Sequence, residues 1–248
     1  MKQQSWGVVL LTVGALCGAV PAQAQSLESG RGCTPAAPVV SGTLRSLVRM
    51  PDKGSLAILG TGAAAALAAH GSDTRLSDAF SSQSDLRPVF KPGATLGGLP
   101  FEVGAAAAIM SLGRSTGHPC LASLGSELLQ AQFVGATWTY AAKLVGRDRP
   151  DGTNYSFPSG HSATAFASAT VLQRRLGWKA GIPAYAVASY VAASRVQMQR
   201  HYLSDVLMGA AVGIVAGRTV TVGGHKLEIG PLATNGGAGI GFSLLPPN

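Results

Sequence analysis

The chain has 248 residues, enough for one domain with or without a leader; 46 % are hydrophobic, 12 % charged and 6 % aromatic. This balance excludes intrinsic disorder, 33 glycines without a Gly-X-Y period exclude collagen, and three cysteines are too few for a disulfide scaffold or a cysteine-built zinc domain. Charged residues at half the usual share of about 25 % leave a tightly packed Ala/Gly-rich helical protein or a membrane protein. The net charge of +8 favours an anionic partner, but no Lys/Arg run or aromatic interleaving points to nucleic acid, and none is expected as a partner.

Residues 1–24 (MKQQSWGVVLLTVGALCGAVPAQA) read as a secretory signal peptide. Lys2 gives a positive start, Trp6 to Val20 an apolar stretch, and Ala22-Gln23-Ala24 a small-x-small cleavage site. Cleavage removes Cys17 and leaves Cys33 and Cys120, which an exported protein is able to pair. Residues 25–50 are polar and read as an irregular arm. Six apolar segments follow, at about 55–69, 97–113, 123–145, 159–175, 182–195 and 202–217. Their Ala-rich composition, lengths and bounding Pro and Gly residues predict helices. The stretch 70–96 reads as a polar, turn-rich linker. The tail 218–248 alternates around glycines, as a hairpin or short strands would. The expectation is an all-α fold, a six-helix bundle over 51–217 with an irregular or β-hairpin tail. The helices are short and Ala-rich for membrane spans, which leaves a soluble exported bundle and a membrane-embedded one both open.

Three blocks within 63 residues carry chemistry: Lys143-Leu-Val-Gly-Arg147-Asp-Arg149-Pro150, Ser156-Phe-Pro158-Ser159-Gly160-His161, and Ser194-Arg195 followed by His201 and Asp205. His201 and Asp205 are four apart, so on a helix they share a face. A carboxylate there fixes the imidazole tautomer and leaves the second nitrogen free as a nucleophile or ligand. Pro158 and Ser159 read as a helix start whose free N–H groups suit an oxyanion, with His161 at its rim placed to give and take a proton. Arg149 and Arg195 offer planar forks that match a phosphate. No carboxylate cluster for a divalent metal is evident, which assigns charge neutralisation to these cations.

At these residues the chain resembles the type 2 phosphatidic acid phosphatase superfamily, which includes bacterial class A acid phosphatases and vanadium haloperoxidases. Pro158–His161 and Ser194–Asp205 match its second and third motifs without change, and the likeness runs over about 130–217. The resemblance implies a metal-independent phosphomonoesterase working through a phosphohistidine, with no cofactor, on a lipid phosphate or a small phosphorylated molecule. It implies His201 as nucleophile, Asp205 as its orienting acid and His161 as general acid then base. Arg149, Ser159, Gly160 and Arg195 would hold the phosphoryl oxygens. A vanadium-dependent haloperoxidase and a degenerate anion-binding protein are the alternatives.

The first motif departs from the family pattern of Lys, six residues, Arg-Pro. Here five residues separate Lys143 from Arg149, and Ala142 stands at the expected lysine position. One residue turns a helix by about 100°, so either Lys143 points away from the pocket or a local bulge restores it; Arg147 is a substitute by proximity. Arg174, Arg175 and Lys179 lie at the far end of the fourth segment, which would put the site on the outer side if the helices span a membrane. The expected localisation is periplasmic, either membrane-associated or integral.

Overall fold

A computed structural model describes residues 38–50 and 52–221, together with the strands at 226–234 and 237–245. The signal peptide expected at 1–24 and Cys33 lie outside the described residues. The described helices are α1 (Val39–Arg49), α2 (Lys53–His70), α3 (Asp73–Ser81), α4 (Arg87–Phe90), α5 (Gly93–Leu96), α6 (Leu99–Ser115), α7 (Pro119–Ala142), α8 (Gly160–Leu176), α9 (Trp178–Gln197) and α10 (Leu203–Thr221). Single 3-10 turns occupy Ser84–Leu86 and Lys143–Val145. β1 (Lys226–Thr234) and β2 (Gly237–Leu245) pair antiparallel, Lys226 opposite Leu245.

The six expected apolar segments are α2, α6, α7, α8, α9 and α10. Local chemistry sets their ends. Asp52 caps α2, its Oδ1 accepting from Gly54 N at 2.8 Å and Ser55 N at 3.1 Å. Prolines occupy the first turns of α6 and α7, where a missing N–H costs nothing. Gly177, at φ 79°, closes α8 and opens α9 in a conformation that a side chain would oppose. Two expectations are corrected. Residues 39–49 of the presumed irregular arm form α1, which packs on α7. The presumed linker 70–96 is largely helical, as α3, α4 and α5, and packs on α9. Short polar helices of this kind have no apolar period of their own and are held by tertiary contact.

The main core lies among α2, α6, α7, α8 and α10, with Leu128, Val134, Val171, Val212 and Val215 at its centre. A second cluster joins α8 to α9 through Ala165, Ala169, Ala188 and Val191. The packing that matters most for the site is α8 on α10. Gly209, Gly213 and Gly217 recur every four residues on α10 and face the α8 backbone. A Cβ at Gly209 would lie 2.4 Å from Ser159 O, and one at Gly213 2.3 Å from Ala163 O. The missing side chains let the two helices touch backbone to backbone. At the near end of that contact Ser159 N donates to Asp205 O at 3.0 Å, which ties two of the three chemical blocks together.

Candidate functional site

The three blocks converge on one cavity of about 600 Å³, lined by Lys143, Arg149, Gly160, His161 and His201, with Leu99, Tyr140 and Leu144 forming apolar walls. The second block delivers the N-terminus of α8. Ser159 is its N-cap, with extended backbone and a side chain that accepts from Ser162 N at 3.4 Å. Gly160 and His161 therefore open the helix at the cavity wall, where unpaired N–H groups and the helix dipole favour an anion. His161 Nε2 is held 3.1 Å from Ala94 O of α5. Burial, reinforced by Arg195 and then by His201, pushes the His161 imidazole down to about 4. An incoming phosphate dianion acts in the opposite direction and would restore the proton that a general acid needs.

The third block departs from the expected geometry in an instructive way. His201 is not on the same helix as Asp205; it sits in the loop before α10, which starts at Leu203. Its Nδ1 lies 3.7 Å from Asp205 Oδ2, beyond hydrogen-bond reach, and has no hydrogen-bond partner. The Asp205 carboxylate is engaged elsewhere: Oδ2 accepts from Tyr202 N at 2.8 Å and from the Ser156 hydroxyl, and Oδ1 from Arg147 Nη1 at 2.7 Å. Burial holds the His201 imidazole below its ordinary value, opposed by Asp205 and assisted by Lys143 and Arg195, so the ring is neutral at neutral pH. Arg195, on the last turn of α9, is buried, and its carbonyl accepts His201 N at 3.2 Å.

The first block answers the question its spacing raised. α7 ends at Ala142, and the chain tightens into a 3-10 turn over Lys143–Val145 before Gly146 reverses it at φ 72°. Lys143, the first residue of that turn, lines the cavity in spite of the shifted spacing. Its Nζ donates to Tyr155 O at 2.7 Å and Pro158 O at 3.3 Å. Burial, with Arg149 nearby, holds its ammonium below the ordinary lysine value. Tyr155 is itself in the left-handed region at φ 65°, a conformation that non-glycine residues adopt at a cost. Arg147 is not a substitute phosphate ligand: it is turned to Asp205 and Asp73. We expect Ala142→Lys to leave turnover unchanged and Lys143→Met to lower kcat/KM by about 100-fold, the usual effect of losing one oxyanion donor. Steady-state kinetics of the two variants checks both.

Three buried nitrogens of the motif residues make no hydrogen bond: Arg149 Nε, Arg195 Nε and His201 Nδ1; Arg149 and His201 line the cavity, and Arg195 lies behind its lining. Orphaned donors of this kind are rare in folded proteins and mark a place where an acceptor is expected. Sequence reading missed Asp73, which carries no local signal in its polar segment. It quoted Ser156 without giving it a role. Among the described residues no group of three or more His, Cys, Asp or Glu side chains is arranged to hold a metal ion.

Comparison with known proteins agrees with the motif reading. The model of the PAP2 superfamily matches residues 119–228. Over 98 residues the chain is 44 % identical to a lipid A 1-phosphatase of Porphyromonas gingivalis, covering 38 % of this chain and 22 % of that protein. It is 36 % identical over 95 residues to a decaprenylphosphoryl-5-phosphoribose phosphatase of Mycobacterium tuberculosis, covering 34 % of this chain and 52 % of that one. The chain thus spans between about a fifth and a half of the length of these two curated relatives. The crystal structure of Aquifex aeolicus LpxE shares the fold at 20 % identity and a TM-score of 0.52, covering 60 % of this chain and 93 % of that one. That of a transmembrane PAP2-type phosphatidylglycerolphosphate phosphatase from Bacillus subtilis does so at 23 % identity and a TM-score of 0.50, covering 74 % and 92 %.

Proposed function

From residues 119–228, which carry the PAP2 superfamily match, we propose that this protein is a phosphatase that removes a phosphomonoester from a lipid through a phosphohistidine, without a metal. The observation that carries the reading is the pair of imidazoles, His161 and His201, that share one cavity with the orphaned donor of Arg149, with the orphaned donor of Arg195 buried close enough to act on both rings. His201 Nε2, the nitrogen away from Asp205, attacks phosphorus and forms a P–N bond. The P–O bond to the alcohol breaks as His161 supplies the proton to the leaving oxygen. His161 then takes a proton from water, whose oxygen attacks phosphorus, breaks the P–N bond and releases inorganic phosphate. Arg149, Arg195, Lys143 and the N–H groups that open α8 stabilise the equatorial oxygens, the task a metal performs elsewhere.

A lipid substrate is favoured by the cavity mouth. Leu144 is 88 % exposed and Tyr140 64 % exposed beside Leu99, an apolar rim around a cationic pocket. Among the described residues Leu203–Val220 is long and apolar enough to cross a membrane, or up to three spans exist if each bent helix pair is one. α8 runs from the site to Arg174 and Arg175, so the basic turn lies at the far end of that helix, which supports a site facing outward if the bundle sits in a bilayer. Cys120 is disulfide-bonded, in keeping with an exported protein.

The test is phosphate release from phosphatidic acid, lipid A, a nucleoside monophosphate and pyrophosphate, in EDTA, with and without vanadate. The expected result is EDTA-resistant release, greatest for a lipid substrate, and inhibition by vanadate as a mimic of the five-coordinate transition state. A requirement for a divalent metal, or release from none of the four, overturns the reading.

A further inference from the structure

Two buried carboxylates face the Arg147 guanidinium. Its Nη1 donates to Asp205 Oδ1 and to Ser204 Oγ, each at 2.7 Å, and its Nη2 donates to Asp73 Oδ2 at 2.8 Å. Asp73 opens α3, is 2 % exposed and lies 131 residues before Ser204. Its Oδ1 accepts Ser204 N at 3.0 Å, and its Oδ2 also accepts the Ser204 hydroxyl. The guanidinium carbon stands 4.3 Å from the Tyr202 ring centroid. The first turn of α10 is thus pinned by a side chain from α3, outside the motifs and outside residues 119–228.

We infer that Asp73 is a positioning residue: through Arg147 and Ser204 it sets the charge and orientation that the Asp205 carboxylate presents to His201. The inference rests on the reading of His201 as nucleophile. A phosphorylated or protonated imidazole is cationic, and Asp205 stabilises it only as far as its own charge is not cancelled. Arg147 alone would cancel it. Asp73, whose Oδ2 also faces His70 Nδ1 of α2 at 3.5 Å, takes up the Arg147 charge, so Arg147 and the two carboxylates together keep one net negative charge beside His201. The other charged or titratable groups facing that ring are Lys143 from the 3-10 turn, Arg195 from α9 and His161 from α8, with Arg149 beyond them. Apart from His161, these are cationic, so Asp205 is the anion on which the developing charge depends.

This arrangement makes opposite predictions for the two partners. Asp73→Asn leaves an uncompensated cation and moves the His201 titration to lower pH. Arg147→Met leaves an uncompensated anion and moves it to higher pH. The double variant restores the net charge, so its midpoint returns towards wild type while the rate stays low, because the fork that orients Asp205 is gone. Arg147→Lys keeps the charge and loses the fork, so its midpoint stays and its rate falls; it also serves if Asp73→Asn does not fold. In each variant kcat falls by about 10–100-fold, the range for residues that hold a catalytic group from behind, with KM little changed.

The experiment is an NMR titration of the His201 imidazole in the full chain, assigned against His201→Gln, with kcat and KM on short-chain phosphatidic acid in mixed micelles. Midpoints that move apart in the two single variants and converge in the double support the inference. Midpoints that stay put or move the same way overturn it. The imidazole is read without turnover, so a wild-type protein that releases no phosphate counts against the phosphatase reading alone.

Discussion

Replacing His201 by Ala is expected to reduce phosphate release by at least about 10³-fold, a loss of about 4 kcal/mol of transition-state stabilisation, while the helical bundle still forms. The size follows from the role proposed for it as nucleophile. Without the imidazole no P–N bond forms, and the remaining cations bind phosphate but have no nucleophile to present to it. The fold survives because His201 lies in the loop before α10, and its ring makes no hydrogen bond that the bundle relies on. A circular dichroism melt alongside the assay checks both halves. His161→Ala gives the complementary result with a nitrophenyl phosphate, whose leaving group needs no proton. The first step then proceeds, the second lacks its base, and an acid-labile, alkali-stable phosphoenzyme accumulates. Unchanged hydrolysis in His201→Ala removes the phosphohistidine from the mechanism.

Gly213→Val is expected to damage stability and activity together, away from the site itself. Even the first atom of the new side chain would sit 2.3 Å from Ala163 O and 2.9 Å from Ala167 N, both backbone atoms that cannot step aside. α8 and α10 must separate, at a cost of about 3 kcal/mol, a large part of the stability of a single domain. The same separation pulls Ser159 N away from Asp205 O, so activity and melting temperature fall together. Gly60 on α2 is the control: a Cβ there meets nothing within 4 Å, and Gly60→Ala should raise stability by about 0.5–1 kcal/mol. Thermal melts of the two variants decide the matter. A Gly213→Val protein as stable as wild type would mean that backbone contact between these helices does not hold the site.

The linear order of residues was informative where a feature is local. The six main helices show themselves through Ala-rich runs closed by Pro and Gly, because helix stops and starts depend on the few residues around them. Ser159 as N-cap and Arg195 at the end of α9 were legible for the same reason. The short helices α3, α4 and α5 were not, since polar segments of this length gain their stability from α9, against which they pack. The placement of Lys143 was not legible either: its spacing to Arg149 is one short of the motif, yet it lines the cavity, because its Nζ is set by contacts with Tyr155 O and Pro158 O far along the chain.

The chemical inventory, two histidines with cationic side chains and a helix start, is therefore a property of the chain itself, written in contiguous motifs. What those groups can do together is decided by the folded arrangement. The i, i+4 spacing of His201 and Asp205 suggested a helical face, yet His201 precedes α10, and it is the Asp205 carboxylate alone that Tyr202 N, Ser156 and Arg147 hold. Asp73 reaches the same network from far upstream. Hydrogen bonds of this kind depend on distance in space and leave no period along the chain, so only the packed bundle, with its glycine-lined contact between α8 and α10, reveals them.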